Sequence, residues 1–412
     1  HYDIIIVGGG IAGLYIQNKL LKKYKNILLI EKDNRLGGRI LTFNKKIKGV
    51  NYSMEGGAGR FNKNHKCLLK LIKEFGLNKN IFKIPSSVNH IPTKSKWKKS
   101  EISKYSPYEY IDYILSNINL NNEMRKLSFN DWLNKNIDEN IIAYLKDFYP
   151  YKDMFKTSAY DALNLYKTDL NITNNFYILG GGLSLLIDGL KTKIKKQNGK
   201  IKLNTELKNI KSIDNFYVLK TTKCNYICNN IILTAQQSDL IKIKYLNPIK
   251  KLIKSVRNTP LSRYYFIFDT KKCSWFKNIK KTITDSKLSY FIPIDYETGL
   301  VMISYVDEHN ALFLKKLEKQ SKKKLVEYLL KECEKIFNIK DIPDPIYIKS
   351  FHWESGVGNW KHGNNSNTVE RKMIKPMKDE NVFICGENYS AKFQGWIEGS
   401  LQTSENVIKL LN

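Results

Sequence analysis

The chain has 412 residues, 42% of them hydrophobic, which is enough for two sizeable cores, and it has no apolar run long enough to span a membrane. Its formal net charge is +30, but only seven of the 69 basic residues are arginine. Lysines spread evenly among Asn and Ile read as compositional bias, and arginine would be preferred for bidentate phosphate contacts, so no specific nucleic-acid partner is expected.

The six cysteines, Cys67, Cys224, Cys228, Cys273, Cys333 and Cys385, form no Cys-x-x-Cys pair, and the six histidines are scattered. Neither pattern suits a metal, and reduced thiols in a cytoplasmic or other reducing compartment are the expectation. The first strand is expected from residue 2, so no signal peptide is expected within the sequence, which starts at His1 and leaves an upstream targeting segment open.

The N-terminal forty residues carry the clearest signal. The apolar run Ile4-Ile5-Ile6-Val7 leads into Gly8, Gly10 and Gly13, and Ile11, Leu14, Tyr15, Leu20 and Leu21 recur at helical spacing. Strand, glycine turn and helix form the dinucleotide fingerprint: Gly8 for the turn, Gly10 for close approach of a diphosphate, Gly13 for helix–strand packing. A second run, Ile27-Leu28-Leu29-Ile30, ends at Glu31, eighteen residues beyond Gly13. An acid there accepts hydrogen bonds from a ribose 2′-hydroxyl and disfavours a 2′-phosphate.

Arg35-Leu36-Gly37-Gly38-Arg39 follows, and it resembles the second fingerprint of the flavin-containing amine oxidase superfamily, the monoamine, polyamine and L-amino-acid oxidases. In that family the loop and its arginine continue the diphosphate site of FAD. The resemblance implies an α/β fold: a Rossmann-like FAD-binding domain with an inserted α+β substrate domain.

Residues 47–62 read as a strand ending in Glu55-Gly56-Gly57-Ala58-Gly59-Arg60, and residues 65–75 as a helix stopped by Gly76. From 77 to about 174, helical patterns at 108–120, 129–136 and 141–148 suggest a helical insertion whose aromatic residues are mainly core. At Gly180-Gly181-Gly182 the FAD half resumes: a helix over 184–196, a strand over 200–203, then Glu206-Leu207, a hairpin at 218–227 and the strand 231–235. Strands at 264–268, 280–284, 290–294, 300–305 and 346–353, with a helix over 322–337, make a second insertion. The expected division is therefore FAD-binding 1–76, 175–251 and 377–412, with substrate segments 77–174 and 252–376.

The closing stretch, Val382-Phe383-Ile384-Cys385-Gly386-Glu387 and then Gly395-Trp396-Ile397-Glu398-Gly399, resembles the family's final strand and helix. The resemblance implies cofactor contacts at Gly8, Gly10, Gly13, Glu31, Lys32, Gly38, Arg39, Gly57, Arg60, Leu207, Gly386, Glu387, Gly395, Trp396 and Ile397. A helix start at Ile397 would stabilise negative charge on a reduced flavin. Trp396 takes the place of one aromatic wall of the substrate cage and Trp360 that of the opposite wall, with a core tryptophan as the alternative for each. Arg60 resembles the arginine that clamps a substrate carboxylate in L-amino-acid oxidases; a flavin-phosphate contact or a structural salt bridge is the alternative. Arg263 falls near the place of a family lysine that serves oxygen chemistry, and an arginine cannot readily release its proton. It is expected, with Trp396, beside the reacting atoms. No cysteine near Gly358 to Trp360 matches the one that binds flavin covalently, so FAD is expected to be noncovalent.

The resemblance implies oxidation of an amine carbon by hydride transfer to flavin N5, with O₂ as acceptor and H₂O₂ as product, and Arg60 points to an L-amino acid as the expected substrate. An amide-forming amino-acid monooxygenase, a monoamine or polyamine oxidase, a desaturase-like dehydrogenase and a flavin-bearing scaffold remain alternatives. The positive field and Arg60 disfavour polyamines.

Overall fold

The computed structural model describes residues 1–171 and 174–411. Its first unit is the strand Tyr2–Val7, the helix Ile11–Leu20 and the strand Ile27–Ile30, the two strands paired in parallel with Ile4 opposite Ile27. Ile4, Ile5 and Ile6 are fully buried, as a parallel strand covered on both faces requires, and each contributes about 1.5–3 kcal/mol by leaving water.

The sheet grows around this pair from distant parts of the chain. Asn225–Leu233 lies parallel to Tyr2–Val7, Val382–Ile384 lies parallel to Asn225–Leu233, and Lys200–Lys202 pairs with Ile27–Ile30. Leu207–Ile213 and Phe216–Thr221 extend it as antiparallel strands. The expected strands 226–227 and 231–235 are one continuous strand, because Asn229 and Asn230 interrupt the apolar pattern without interrupting the ladder.

A second, six-stranded sheet runs in the order Tyr347–Trp360, Val256–Ile267, Leu300–Asp307, Tyr290–Asp295, Thr282–Thr284 and Asn89–Ile91. Its two longest strands exceed the expected ones. Pro260 is tolerated inside Val256–Ile267 because the register shifts between Thr259 and Leu261, the kind of irregularity where a missing N–H does least harm. The segment expected to be a helical insertion supplies Asn89–Ile91 to this sheet, and three residues are too few to show alternation. The helix Glu308–Gln320 was not legible either: it buries only Glu308, Ala311 and Leu314, too narrow a stripe to stand out. No helix of the described residues is long and apolar enough to cross a membrane.

At Gly13 a Cβ would lie 2.0 Å from the Gly8 carbonyl oxygen, so the helix can approach the strand only there. Gly10 is the opposite case, since a Cβ would meet nothing within 4 Å and the residue has φ −73°, ψ −177°. Gly13→Ala is therefore expected to lower the thermal midpoint of the protein without added ligand by about 5 °C or more, and Gly10→Ala to leave it within about 1 °C. Differential scanning fluorimetry of the two variants checks this contrast.

Candidate functional site

The carboxyl ends of the parallel strands open into a cavity of about 1020 Å³ that runs from Gly8, Glu31 and Leu207 to Arg60, Arg263 and Trp396. At the first end, the Thr234 hydroxyl bonds the carbonyls of Val7 and Gly8 at 3.0 and 3.1 Å, fixing the turn to the neighbouring strand. Gly37 N–H donates to the Gly9 carbonyl at 2.8 Å, bringing the second glycine loop against the first. The Glu31 carboxylate accepts from the N–H groups of Gly9 (2.6 Å) and Asp33 (2.8 Å). It is 7% exposed, and burial pushes its carboxyl above the usual range despite those bonds. Each oxygen keeps acceptor capacity toward the cavity. Lys32 lies at the rim, engaged with Asp239 at 2.6 Å.

These residues fit a dinucleotide. The space in front of Gly10 is open, the loops bearing Gly8, Gly37 and Gly38 converge on it, and a buried acid stands where a ribose would lie.

Midway along, Arg39 Nη1 reaches the Gly356 carbonyl at 3.1 Å and pairs with Glu387 Oε1. Glu387 Oε2 accepts the Gly395 N–H at 2.7 Å, just before Trp396 and the buried helix start at Ile397. The Arg39 carbonyl accepts the Ala58 N–H at 2.9 Å, and a Cβ on Gly57 would lie 1.9 Å from that same oxygen. Glycine at 57 is what allows the segment carrying Arg60 to lie this close. Gly386 borders the cavity beside Glu387.

The far end is aromatic and basic. Trp396 stacks on Phe176 with ring centroids 6.1 Å apart and planes 11° from parallel. The Arg60 guanidinium sits 4.2 Å from the Phe176 centroid and 5.9 Å from that of Trp396, and its Nη2 donates to the Tyr151 hydroxyl at 2.7 Å. Arg263 Nη1 donates to the Glu55 carbonyl at 2.9 Å and its guanidinium lies 4.8 Å from the Tyr305 ring, while its Nε is buried without a partner. The arginine ion pairs of the described residues are Arg39–Glu387, Arg125–Asp161 and Arg257–Glu308. Arg60 belongs to none of them, which removes the structural salt bridge as its role.

Trp360 lies where the cavity meets the core. It borders the cavity but is 2% exposed; its indole N–H donates to the Ser390 carbonyl at 3.3 Å, and its ring meets Tyr389 edge-on in the core. Strand alternation explains this, because Asn359 and Trp360 point to opposite faces and Asn359 bonds Asp153 at 3.0 Å. The aromatic surface facing the arginines comes instead from Phe176, Tyr151 and Tyr305. Only Tyr305 had a sequence signal, as an in-facing position of an alternating strand; Phe176 and Tyr151 lie in segments with no usable period. Behind Trp396, His65 lies 4.8 Å away ring to ring and 3.3 Å from Asp169, both fully buried.

The comparisons with known proteins agree with this geometry. The profile of the flavin containing amine oxidoreductase family matches residues 11–104 and 128–407. Aplysianin-A of Aplysia kurodai is 21% identical over 99% of this chain and 89% of its own length. An L-amino-acid oxidase of Demansia vestigiata is 22% identical over 99% of this chain and 86% of its own. A wild-type putrescine oxidase bound to putrescine superposes with a TM-score of 0.76 at 14% identity, covering 100% of this chain and 98% of the other, a likeness of fold.

Lys281 stands over the Tyr290 ring at 5.2 Å, and burial with the nearby Arg60 charge lowers its ammonium to about 7. It is charged below that value and neutral above it. Binding of a simple carboxylate such as hexanoate, followed by titration calorimetry, is expected to weaken several-fold between about pH 6 and 8. Lys281→Met should flatten that step.

Proposed function

The chain belongs to the flavin-containing amine oxidoreductase family, an FAD enzyme acting on amines, and on that premise we propose that its substrate is an L-α-amino acid. The observation that carries this reading is Arg60: a guanidinium inside the cavity with no acidic partner, framed by Phe176, Trp396 and the Tyr151 hydroxyl. A bidentate carboxylate is the natural complement of such a group. The loops bearing Gly8, Gly10 and Gly38, with Glu31, would hold FAD, which would supply the acceptor for a hydride from the substrate α-carbon, with dioxygen as the final oxidant, reduced to hydrogen peroxide.

The residues of the chain prepare that step. Arg60 and the Tyr151 hydroxyl would hold the carboxylate, which fixes one end of the substrate and so the direction of its Cα–H. Trp396, backed by the parallel ring of Phe176, gives the cavity an apolar wall that would exclude water and favour the neutral amine, whose lone pair must be free as the C–N bond gains double-bond character. Burial keeps the Tyr108, Tyr149 and Tyr290 hydroxyls well above their usual range, so they remain neutral. The imine product hydrolyses to a 2-oxo acid and ammonia.

FAD is held noncovalently in this reading, supported by a cavity bordered by no cysteine among the described residues. Segments 1–76, 175–251 and 377–412 would hold the dinucleotide and 77–174 and 252–376 the substrate, in keeping with the two sheets. A dehydrogenase is the second reading, favoured by Arg263, whose guanidinium offers no proton to dioxygen chemistry; it would give no peroxide under air.

Arg60→Ala should raise KM about 100-fold for an L-amino acid and less than about threefold for the corresponding decarboxylated amine. Steady-state kinetics on both substrates test this. Equal effects on the two would remove the carboxylate clamp.

A further inference from the structure

Beyond the arginines the cavity holds two acids that the reaction does not require. Asp153 lies two residues after Tyr151, and Asp307 two residues after Tyr305 at the end of the strand Leu300–Asp307. The two tyrosine rings meet edge-on at 6.4 Å, and the Asp153 N–H donates to Asp307 Oδ2 at 3.1 Å. Residues two apart on a strand share a face and are about 7 Å apart along it. On the strand Leu300–Asp307, Asp307 therefore stands one step, roughly the reach of a four-methylene chain, from Tyr305, and Asp153, in the turn Lys152–Lys156, is held beside it.

Both side chains border the cavity, at 8% and 5% exposure. Asp153 Oδ2 accepts from the Asn359 amide at 3.0 Å, but Asp307 Oδ1 is buried with no hydrogen-bond partner. The neighbouring cations are engaged elsewhere. Arg257 and Lys156 each pair with Glu308 at 2.6 Å, Arg257 Nη2 also bonds the Asp153 carbonyl at 3.0 Å, and the Lys152 ammonium bonds the carbonyls of Lys146 and Asp147. Lys152 still exerts some attraction on Asp307 through space. Burial and the facing Asp153 nevertheless push the Asp307 carboxyl well above the usual range. A buried carboxyl oxygen without a partner, in a residue that borders the cavity, is costly unless a donor or cation comes to it.

We propose that Asp307, with Asp153 beside it, forms a subsite for the side-chain ammonium of a basic L-α-amino acid whose carboxylate is held at Arg60. The inference rests on the amino-acid reading and narrows it to substrates carrying a distal cation. The positive field of the whole chain slows the approach of such a substrate but does not oppose the pairing once the ammonium is inside.

The test compares the holoenzyme with Asp307→Asn and Asp153→Asn, which keep side-chain shape, with FAD content and thermal midpoint recorded for each. L-lysine should exceed L-norleucine, which lacks the terminal ammonium, by about 100-fold in kcat/KM, and Asp307→Asn should collapse that ratio to within about threefold. In calorimetric titration, 6-aminohexanoate should bind at least about tenfold tighter than hexanoate, and the difference should vanish in Asp307→Asn. Equal oxidation of L-lysine and L-norleucine, or a loss that leaves their ratio intact, overturns the inference and leaves the amino-acid reading standing. Cadaverine turned over as well as L-lysine, and unaffected by Arg60→Ala, overturns it in favour of a diamine. Oxidation of no L-amino acid removes both readings.

Discussion

One ion pair sets the geometry of both ends of the substrate site. Glu387 accepts from Arg39 through one oxygen and from the Gly395 N–H through the other, while the Arg39 carbonyl receives the Ala58 N–H. Arg60 is therefore tied through Ala58 and Arg39 to Glu387, and Trp396 is tied through Gly395 to the same carboxylate. Residues 348 apart in sequence meet in this pair, with Glu387 4% exposed. Removing one partner of such a pair leaves a buried charge unpaired, a cost of about 3–5 kcal/mol. Arg60 and Trp396 hold their relative position because they share this junction.

The composition of the chain makes its arginines informative. Where lysine supplies nearly all the positive charge, six of the seven arginines sit where planar geometry is needed. Arg35 bonds the Gly38 carbonyl, Arg39 and Arg257 pair with buried glutamates, Arg125 pairs with buried Asp161, Arg263 bonds the Glu55 carbonyl, and Arg60 faces the cavity. Arg371 is the exposed exception.

The dinucleotide end was legible because glycine spacing, apolar strands and a terminal acid are local signals. Gly8 to Glu31 and Gly395 to Ile397 meet in one cavity because parallel pairing brings Val382–Ile384 beside Asn225–Leu233, and that strand beside Tyr2–Val7. The arginine- and aromatic-lined end of the cavity was legible only in part. Arg60, Arg263 and Trp396, which line the cavity, were singled out through motif resemblance, whereas Tyr151, Phe176, Asp153 and Asp307 come from segments whose placement depends on long-range packing. Trp360 shows the limit most sharply: one residue of strand phase decides whether a ring faces a cavity or a core, and a loose motif match does not fix that phase.

The chain is an FAD enzyme of the amine oxidoreductase family, and the proposal made for it is that its inner cavity accepts a carboxylate-bearing amine. Its most direct test is anaerobic mixing of the purified yellow protein with each of the L-amino acids and with their decarboxylated amines, following flavin absorbance. The account predicts rapid bleaching by at least one L-amino acid, much slower bleaching by the matching amine, and one equivalent of 2-oxo acid per flavin. Bleaching by amines alone, or by none of these compounds, would contradict it.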